Sequence, residues 1–352
     1  MVFFVPVRGR QSEEYVARQR ILTGMRPTGP LHLGHYVGAL ENWLELQHEY
    51  DCYFLIADYQ ALGDHLDEIE RIRRSVIDVA VDWLSVGLDP ERSPFVVQGY
   101  VPEHAELTLY FSMLTPKSWL DRNPTLKSEM QQLEDSHETI TMGFFNYPLS
   151  QAADILLPKA NLVPVGEDQL PHIELTREIA RRFNRQYGEI FPEPQAKVGR
   201  VPRLLGLDGQ AKMSKSLDNA IYLSDDAKTV QKKVRRMVTD ITGQNPRLSP
   251  TDPGIVENNP VFLYHDVFNP DVEEVKDLKE RYERGKVSDG EVKDKLVAAL
   301  NAFLDPIRER RAQILERPGY AAEVLEEGSR RERVIAQETI AEVREAMRLV
   351  YT

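Results

Sequence analysis

The stretch Pro27-Thr28-Gly29-Pro30-Leu31-His32-Leu33-Gly34-His35 constrains this chain more than any other, because it must turn a short strand directly into a helix. Arg20 to Thr23 reads as the strand, closed by Gly24. A helix follows from about Gly34 to Tyr50, with Val37, Leu40, Trp43, Leu44 and Leu46 on its inward face. Cys52 to Ala57 is an apolar strand ending at Asp58. Ile69 to Val86 has helical period through Ile72, Val76, Val79, Ala80, Trp83 and Leu84, stops at Gly87, and leads through Asp89-Pro90 to a strand at Pro94 to Gln98. Strands alternating with helices build a parallel sheet, and this run reads as the nucleotide-binding half of a doubly wound fold.

From about Val101 to Pro158 the pattern is helical with no clear strand, as expected of an insertion between two halves of such a sheet. Asn161 to Val165 resumes the sheet, Gln169 to Arg185 is a helix, and one more strand is expected around Val201 to Leu205. Everything later reads as helix: Asp225 to Val238, Val261 to Phe268, Asp271 to Arg284, Ser288 to Ile314 and Ala321 to Val350, with a surface loop from Thr239 to Asn259. The fold class is therefore α/β, a Rossmann-type doubly wound parallel sheet with a helical insertion, plus an all-α C-terminal domain. The expected divisions are an extension over residues 1–18, a sheet domain over 19–210 with its insertion at about 101–158, a mobile loop over 211–219 and a helical domain over 220–352 whose last helix packs back on the sheet domain.

At 352 residues the chain is long enough for one large or two moderate cores. A single cysteine, Cys52, excludes an intrachain disulfide and a multi-cysteine metal cluster, which fits a reducing compartment. The apolar run Val2 to Val7 is far shorter than the roughly 20 residues of a membrane span, and a cytoplasmic protein is expected. A net charge of −12 argues against a polyanionic partner. The distribution argues otherwise: Lys228, Lys232, Lys233, Arg235 and Arg236 occur within nine residues without an acid, and Arg177, Arg181, Arg182 and Arg185 share one helical stretch. Either run could equally be a solvated helix face.

Two motifs carry the chemistry. At the first, free backbone N–H groups and a helix N-terminus face whatever binds the turn, which suits phosphate. His32 and His35 can donate hydrogen bonds to phosphate or ribose oxygens, and Gly34 lets an adenine ring approach the backbone. The second, Lys212-Met213-Ser214-Lys215-Ser216, follows Asp208-Gly209 in a segment without apolar periodicity, as a hinged loop does. Lys212 and Lys215 would meet the β- and γ-phosphates of ATP on closure, where negative charge develops; Ser214 and Ser216 would hold the loop or contact phosphate.

In order and separation the two motifs resemble those of the class I aminoacyl-tRNA synthetases. The run Tyr147-Pro148, Ala152-Ala153-Asp154-Ile155-Leu156-Leu157 and Val163-Pro164-Val165-Gly166-Glu167-Asp168-Gln169 is similar to that of the bacterial tryptophanyl branch. The resemblance implies tryptophan activation by ATP, with Mg²⁺ carried on the phosphates, and transfer to the terminal ribose of a tryptophan transfer RNA. It assigns His32, His35, Lys212 and Lys215 to catalysis. It assigns Arg26, Pro27, Thr28, Gly34, Gly166, Glu167, Asp168, Leu204, Met213, Ser214 and Ser216 to ATP. Asp154 becomes the acceptor for the indole N–H, supplying the partner that a buried carboxylate needs; a salt bridge to a nearby Lys or Arg is the alternative. Tyr147 and Gln169 become ligands of the α-amino group, and Leu22, Gln60, Gln151, Val163 and Val165 pocket walls.

The same resemblance implies a C₂ homodimer through the inserted helices, and transfer RNA on the basic stretch from Lys228 to Arg236. No metal site of the protein's own is expected. The chain departs from the branch at Leu22, Arg26, Gln60 and Gln151, where many bacterial relatives carry Phe, Gln, His and Met, and these changes imply a looser, more polar indole pocket open to substituted tryptophans. It keeps both histidines where many relatives have Thr and Asn. Rival readings are a tyrosyl-tRNA synthetase, a small nucleotidyltransferase with the same turn, and a synthetase-like RNA-binding or regulatory protein. The resemblance begins near Arg20, and the preceding residues carry no motif.

Overall fold

The computed structural model describes residues 18–135, 137, 139–198, 204–211, 213–214, 217–239, 249 and 251–351. In chain order the elements are β1 (Arg20–Met25), α1 (Leu33–His35), α2 (Glu41–Glu49), β2 (Asp51–Ile56), α3 (Asp58–Asp64), α4 (Ile69–Val86) and β3 (Phe95–Val97). Then follow α5 (Glu103–Leu114), α6 (Lys117–Asp121), α7 (Pro124–Asp135), α8 (Met142–Leu156), β4 (Leu162–Val165), α9 (Leu170–Tyr187) and β5 (Gln195–Val198). The last five are α10 (Ala227–Arg235), α11 (Pro260–Phe268), α12 (Val272–Glu283), α13 (Asp289–Leu315) and α14 (Tyr320–Ala346).

All strand pairings are parallel, in the order β3-β2-β1-β4-β5. Alternation along β2 sends Cys52, Phe54 and Ile56 to one face and Tyr53 and Leu55 to the other. Helices cover both faces, so both sets are buried. On the first face Trp43, Phe54, Trp83 and Phe95 form an aromatic cluster with ring centroids 5.0–6.2 Å apart. Cys52 belongs to this core, and burial pushes its thiol up to about 12, which leaves it inert. Strand order reverses direction between β1 and β4. A crevice at the carboxyl ends of those two strands is where such sheets bind ligands.

The expected strand at Val201 to Leu205 falls largely outside the described residues, which resume at Leu204. The strand that completes the sheet is β5, in a stretch the sequence pattern assigned to no element. Gln195-Ala196-Lys197-Val198 pairs on one side only and is half exposed, so it lacks the apolar run that marks a central strand. The helix read from Gly34 to Tyr50 is broken by a π-helical turn at Tyr36–Leu40. Helix α14 lies on edge strand β3, covering a row of backbone groups that an open edge would leave unpaired. The approach is close: a Cβ at Gly328 would sit 2.1 Å from the Phe95 carbonyl oxygen. Ser329 Oγ accepts from Val97 N–H at 2.9 Å. Arg333 with Glu103 and Arg344 with Glu106 tie α14 to α5. No helix among the described residues is long and apolar enough to cross a membrane.

Candidate active site

A cavity of about 730 Å³ opens at the carboxyl ends of β1 and β4. Leu22 and Arg26 come from β1 and the residue after it, Val163, Val165 and Gly166 from β4 and its end, and Tyr147, Gln151 and Asp154 from α8. Gln60 and Gln169 complete the wall, so the ten residues expected there from both ligand sets do converge. Val37 and Gly38 of the π-helical turn also line it. The extra residue in such a turn widens the helix locally, a device common at functional sites. Glu41, Asn42, Glu45, Glu129 and Gln132 line the cavity as well and were not anticipated.

Helix α8 presents Asp154 from its apolar face, between Ala153 and Ile155, and the carboxylate is 2 % exposed. Its partner is neither a lysine nor an arginine. Gln60 Nε2 donates to Oδ2 at 2.7 Å, Gln98 Nε2 donates to Oδ1 at 2.7 Å, and His104 Nδ1 lies 2.9 Å from Oδ1. The protein itself supplies this buried carboxylate with partners that the sequence reading left to the substrate. A carboxylate has about four acceptor sites; among the described residues two amide donors fill sites on it, and His104 lies against Oδ1 as an ion-pair partner without hydrogen-bond geometry.

Tyr147 stands in a directional chain. Asn123 Nδ2 lies 3.3 Å from His172 Nδ1, His172 Nε2 lies 2.9 Å from the Tyr147 hydroxyl, and that hydroxyl donates to Glu129 Oε2 at 2.5 Å. Burial holds His172 down to about 4, so at neutral pH it is an uncharged imidazole that accepts at Nδ1 and donates at Nε2. Gln169 Oε1 accepts from Gln151 Nε2 at 3.5 Å, and Gln169 Nε2 donates to Asp168 Oδ2 at 3.1 Å. The amino-acid end of the cavity thus holds a tyrosine hydroxyl, amides and the Glu129 carboxylate, a set suited to an ammonium group.

The two motifs meet. His32 N–H donates to His35 Nδ1 at 3.1 Å, which leaves Nε2 as the protonated nitrogen of a neutral His35. The imidazole rings lie 3.7 Å apart. A Cβ at position 34 would come within 3.0 Å of the His32 ring and 3.5 Å of Met213 Cβ, so the second motif rests on the glycine of the first. The chain after that motif pairs back onto the turn: Leu33 N–H donates to Ile221 O and Leu223 N–H to Leu31 O. Asn219 Oδ1 accepts from Ser214 N–H at 2.7 Å while its amide donates to Asp208. The turn is held from behind by Asp82, whose carboxylate accepts from Leu31 N–H at 2.8 Å and pairs with Arg311 of α13.

Lys212, Lys215 and Ser216 lie outside the described residues. Leu204 does not line the cavity; it is buried in the same core as Leu31, Leu33 and Met213. Pro27, Thr28, Glu167 and Asp168 flank the cavity without lining it. In the basic stretch, Lys228, Lys232, Arg235 and Arg236 are exposed, while Val230 and Val234 are buried. Lys233 is held by Asp225 at 2.6 Å beneath the Tyr222 ring, and Arg235 pairs with Asp294. Arg177 and Arg181 on α9 pair with Glu174 and Glu193, a solvated helix face.

His104, Glu332 and His172 escaped sequence reading, yet a signal existed. His104 begins the stripe Leu107, Phe111, Leu114, and Glu332 stands on the stripe Leu325, Ser329, Ala336, Ile340, Val343. A titratable residue at a core position of an amphipathic helix requires a buried partner.

A crevice at the switch point of a parallel sheet, with the two motifs meeting beside it, fits the nucleotide-dependent class that comparison with known proteins defines: the family "tRNA synthetases class I (W and Y)" matches residues 16–305, and the chain belongs to it. Its relatives narrow the membership. A tryptophan–tRNA ligase of Treponema pallidum is 51% identical over 333 residues, covering 94% of this chain and 97% of that one. The ligase of Chlamydia caviae is 47% identical over 336 residues, covering 94% and 96%. Among solved structures, tryptophanyl-tRNA synthetase from Campylobacter jejuni, complexed with ADP and tryptophan, matches with a TM-score of 0.83 at 35% identity, covering 93% of this chain and 99% of that one. The chain is a member of the bacterial tryptophanyl branch, an ATP-dependent ligase.

Proposed function

We propose that this chain joins L-tryptophan to ATP as tryptophanyl-adenylate and passes the amino acid to the 3′-terminal ribose of a tryptophan transfer RNA. In the first step the tryptophan carboxylate attacks the α-phosphorus, the bond to the β-phosphate oxygen breaks, and pyrophosphate leaves. In the second a ribose hydroxyl attacks the activated carbonyl and AMP leaves. No enzyme nucleophile is needed; positioning and charge stabilisation suffice. The observation that carries this reading is the contact of Met213 with Gly34, which joins the two motifs beside a cavity walled by Asp154, Tyr147 and Gln169.

In this reading the indole N–H takes the remaining acceptor site on Asp154 Oδ2, and the α-ammonium group sits among Tyr147, Gln169 and Glu129. His35 donates from Nε2 to phosphate, with His32 beside it. Arg26, Pro27, Thr28, Gly34 and Gly166, Glu167, Asp168 run along the nucleotide. Lys212 and Lys215, with Ser214 and Ser216, close on the β- and γ-phosphates, which arrive with their Mg²⁺. The exposed cations Lys228, Lys232, Arg235 and Arg236 contact transfer RNA, with Lys233 held in reserve against Asp225. A two-fold homodimer forms across the inserted helices, where Leu109, Met113 and Met142 expose 53%, 70% and 76% of their surfaces.

Pyrophosphate exchange into ATP tests the assignment. Exchange driven by tryptophan and not by tyrosine is expected; exchange with tyrosine alone overturns it.

A further inference from the structure

Asp154 is the near end of a buried three-residue relay. His104 Nδ1 lies 2.9 Å from Asp154 Oδ1, and its Nε2 lies 3.3 Å from Glu332 Oε2. The three residues are 0–2 % exposed and come from α8, α5 and α14, so the far carboxylate belongs to the last helix of the chain. Gln98, wholly buried, bonds both Asp154 and Ser150 and closes the near side. Two carboxylates flank one imidazole. Although desolvation opposes a charge on it, Glu332 and Asp154 together raise His104 to about 10, and it is an imidazolium at neutral pH.

This arrangement exceeds what packing needs. Apolar side chains of similar volume would fill the space without the cost of burying charge. What the relay supplies is direction. With Oδ1 bonded by Gln98 and drawn to the charge of His104, and one site of Oδ2 filled by Gln60, the carboxylate cannot rotate without giving up two hydrogen bonds and an ion pair. Oδ2, the oxygen shared with cavity-lining Gln60, keeps an acceptor site that no other hydrogen bond among the described residues fills.

We infer that His104 and Glu332 are positioning residues for indole recognition: through the relay, α14 fixes the orientation of Asp154 and so sets the affinity for an indole N–H. The inference rests on the proposed contact between Asp154 and that N–H. Without the imidazolium, two carboxylates lose the cation between them. Asp154 then relaxes by rotating away from Glu332, which misaligns the site the substrate requires. Removing Glu332 as well deletes the second anion and relieves that conflict. Charge logic therefore predicts that the double variant recovers part of what the single one loses, whereas a packing role predicts further loss.

The experiment compares His104→Gln, Glu332→Gln, the double variant and Asp154→Asn in pyrophosphate exchange. Substrates are tryptophan and its benzothiophene analogue, which replaces the indole N–H by sulfur, and circular dichroism melting verifies folding. A hydrogen bond to a charged group corresponds to roughly 10–100-fold. In His104→Gln the KM for tryptophan is expected to rise by that factor with the KM for ATP within about threefold, and discrimination against the analogue to fall about as much. Glu332→Gln, nearly isosteric, shows a smaller change in the same direction and carries the test if His104→Gln does not fold. The double variant lies closer to the parent than His104→Gln. Discrimination unchanged in His104→Gln and Glu332→Gln while Asp154→Asn abolishes it overturns the relay alone. Discrimination that survives Asp154→Asn overturns the indole contact and the relay with it. Parallel rises in both KM values, or a double variant worse than His104→Gln, reduce the relay to packing and overturn it.

Discussion

Replacing Gly328 by alanine puts a single methyl group where α14 meets the edge of the sheet. Built on the existing backbone, its carbon would lie 2.1 Å from Phe95 O, 2.7 Å from Phe95 N and 2.9 Å from Phe95 C. All three are backbone atoms of a strand that pairs with β2 on its other side, so the strand cannot yield. Ordinary contact needs about 3.5 Å, and the helix must retreat by about 1 Å. Overpacking of this kind costs about 1–3 kcal/mol. The same retreat stretches the 2.9 Å bond from Val97 N–H to Ser329 Oγ, leaving a buried donor at about 1–3 kcal/mol more. A total of about 2–6 kcal/mol follows. With an unfolding entropy of about 2.1 cal/mol/K per residue, the 352-residue chain should melt about 3–8 °C lower. Calorimetry of Gly328→Ala beside Ser329→Ala measures it, the serine variant being expected to lose about half as much. A Gly328→Ala melting point within 1 °C of the parent would refute the reasoning, because it would mean that α14 shifts without cost.

Asp82→Ala strips the acceptor from Leu31 N–H and the partner from Arg311. Because Arg311 keeps 18% of its side chain in solvent, the loss should stay near 2–3 kcal/mol in denaturant titration, below the 3–5 of a fully buried pair, with exchange activity reduced as the turn loosens. For His172, held down to about 4, the unfolded chain binds its proton more readily. Stability tied to its neutrality is present above about 6.5 and is lost as pH falls toward 4; urea midpoints across that range should flatten in His172→Gln. Charge reversal at Lys228 and Lys232 should raise the KM for transfer RNA and lower the salt slope of its binding by about two, leaving pyrophosphate exchange untouched. Ring-substituted tryptophans should compete better here than in a relative carrying Phe, His and Met at positions 22, 60 and 151; equal discrimination in exchange assays would refute the looser pocket.

Much of this protein was legible from short-range pattern. The turn from Pro27 to His35 needs Gly34 for reasons local to itself. Strands β1, β2 and β4 announce themselves because central parallel strands are apolar on both faces, and edge strand β3 because α14 buries it. The family's residues at 147–169 identified the branch from identity and spacing alone. Strand β5 was not legible, since an edge strand with one partner needs no apolar run, and neither was the π-helical turn, which differs from an α-turn by one residue of register. Only the tertiary structure decided who satisfies Asp154. Its partners, Gln60, Gln98 and His104, stand 94, 56 and 50 residues before it in sequence, and Glu332 follows 178 residues later. Desolvation compels a buried charge to find partners, but a sequence states only the compulsion; which partners answer it is fixed by the packing of α5, α8 and α14 around the end of the sheet.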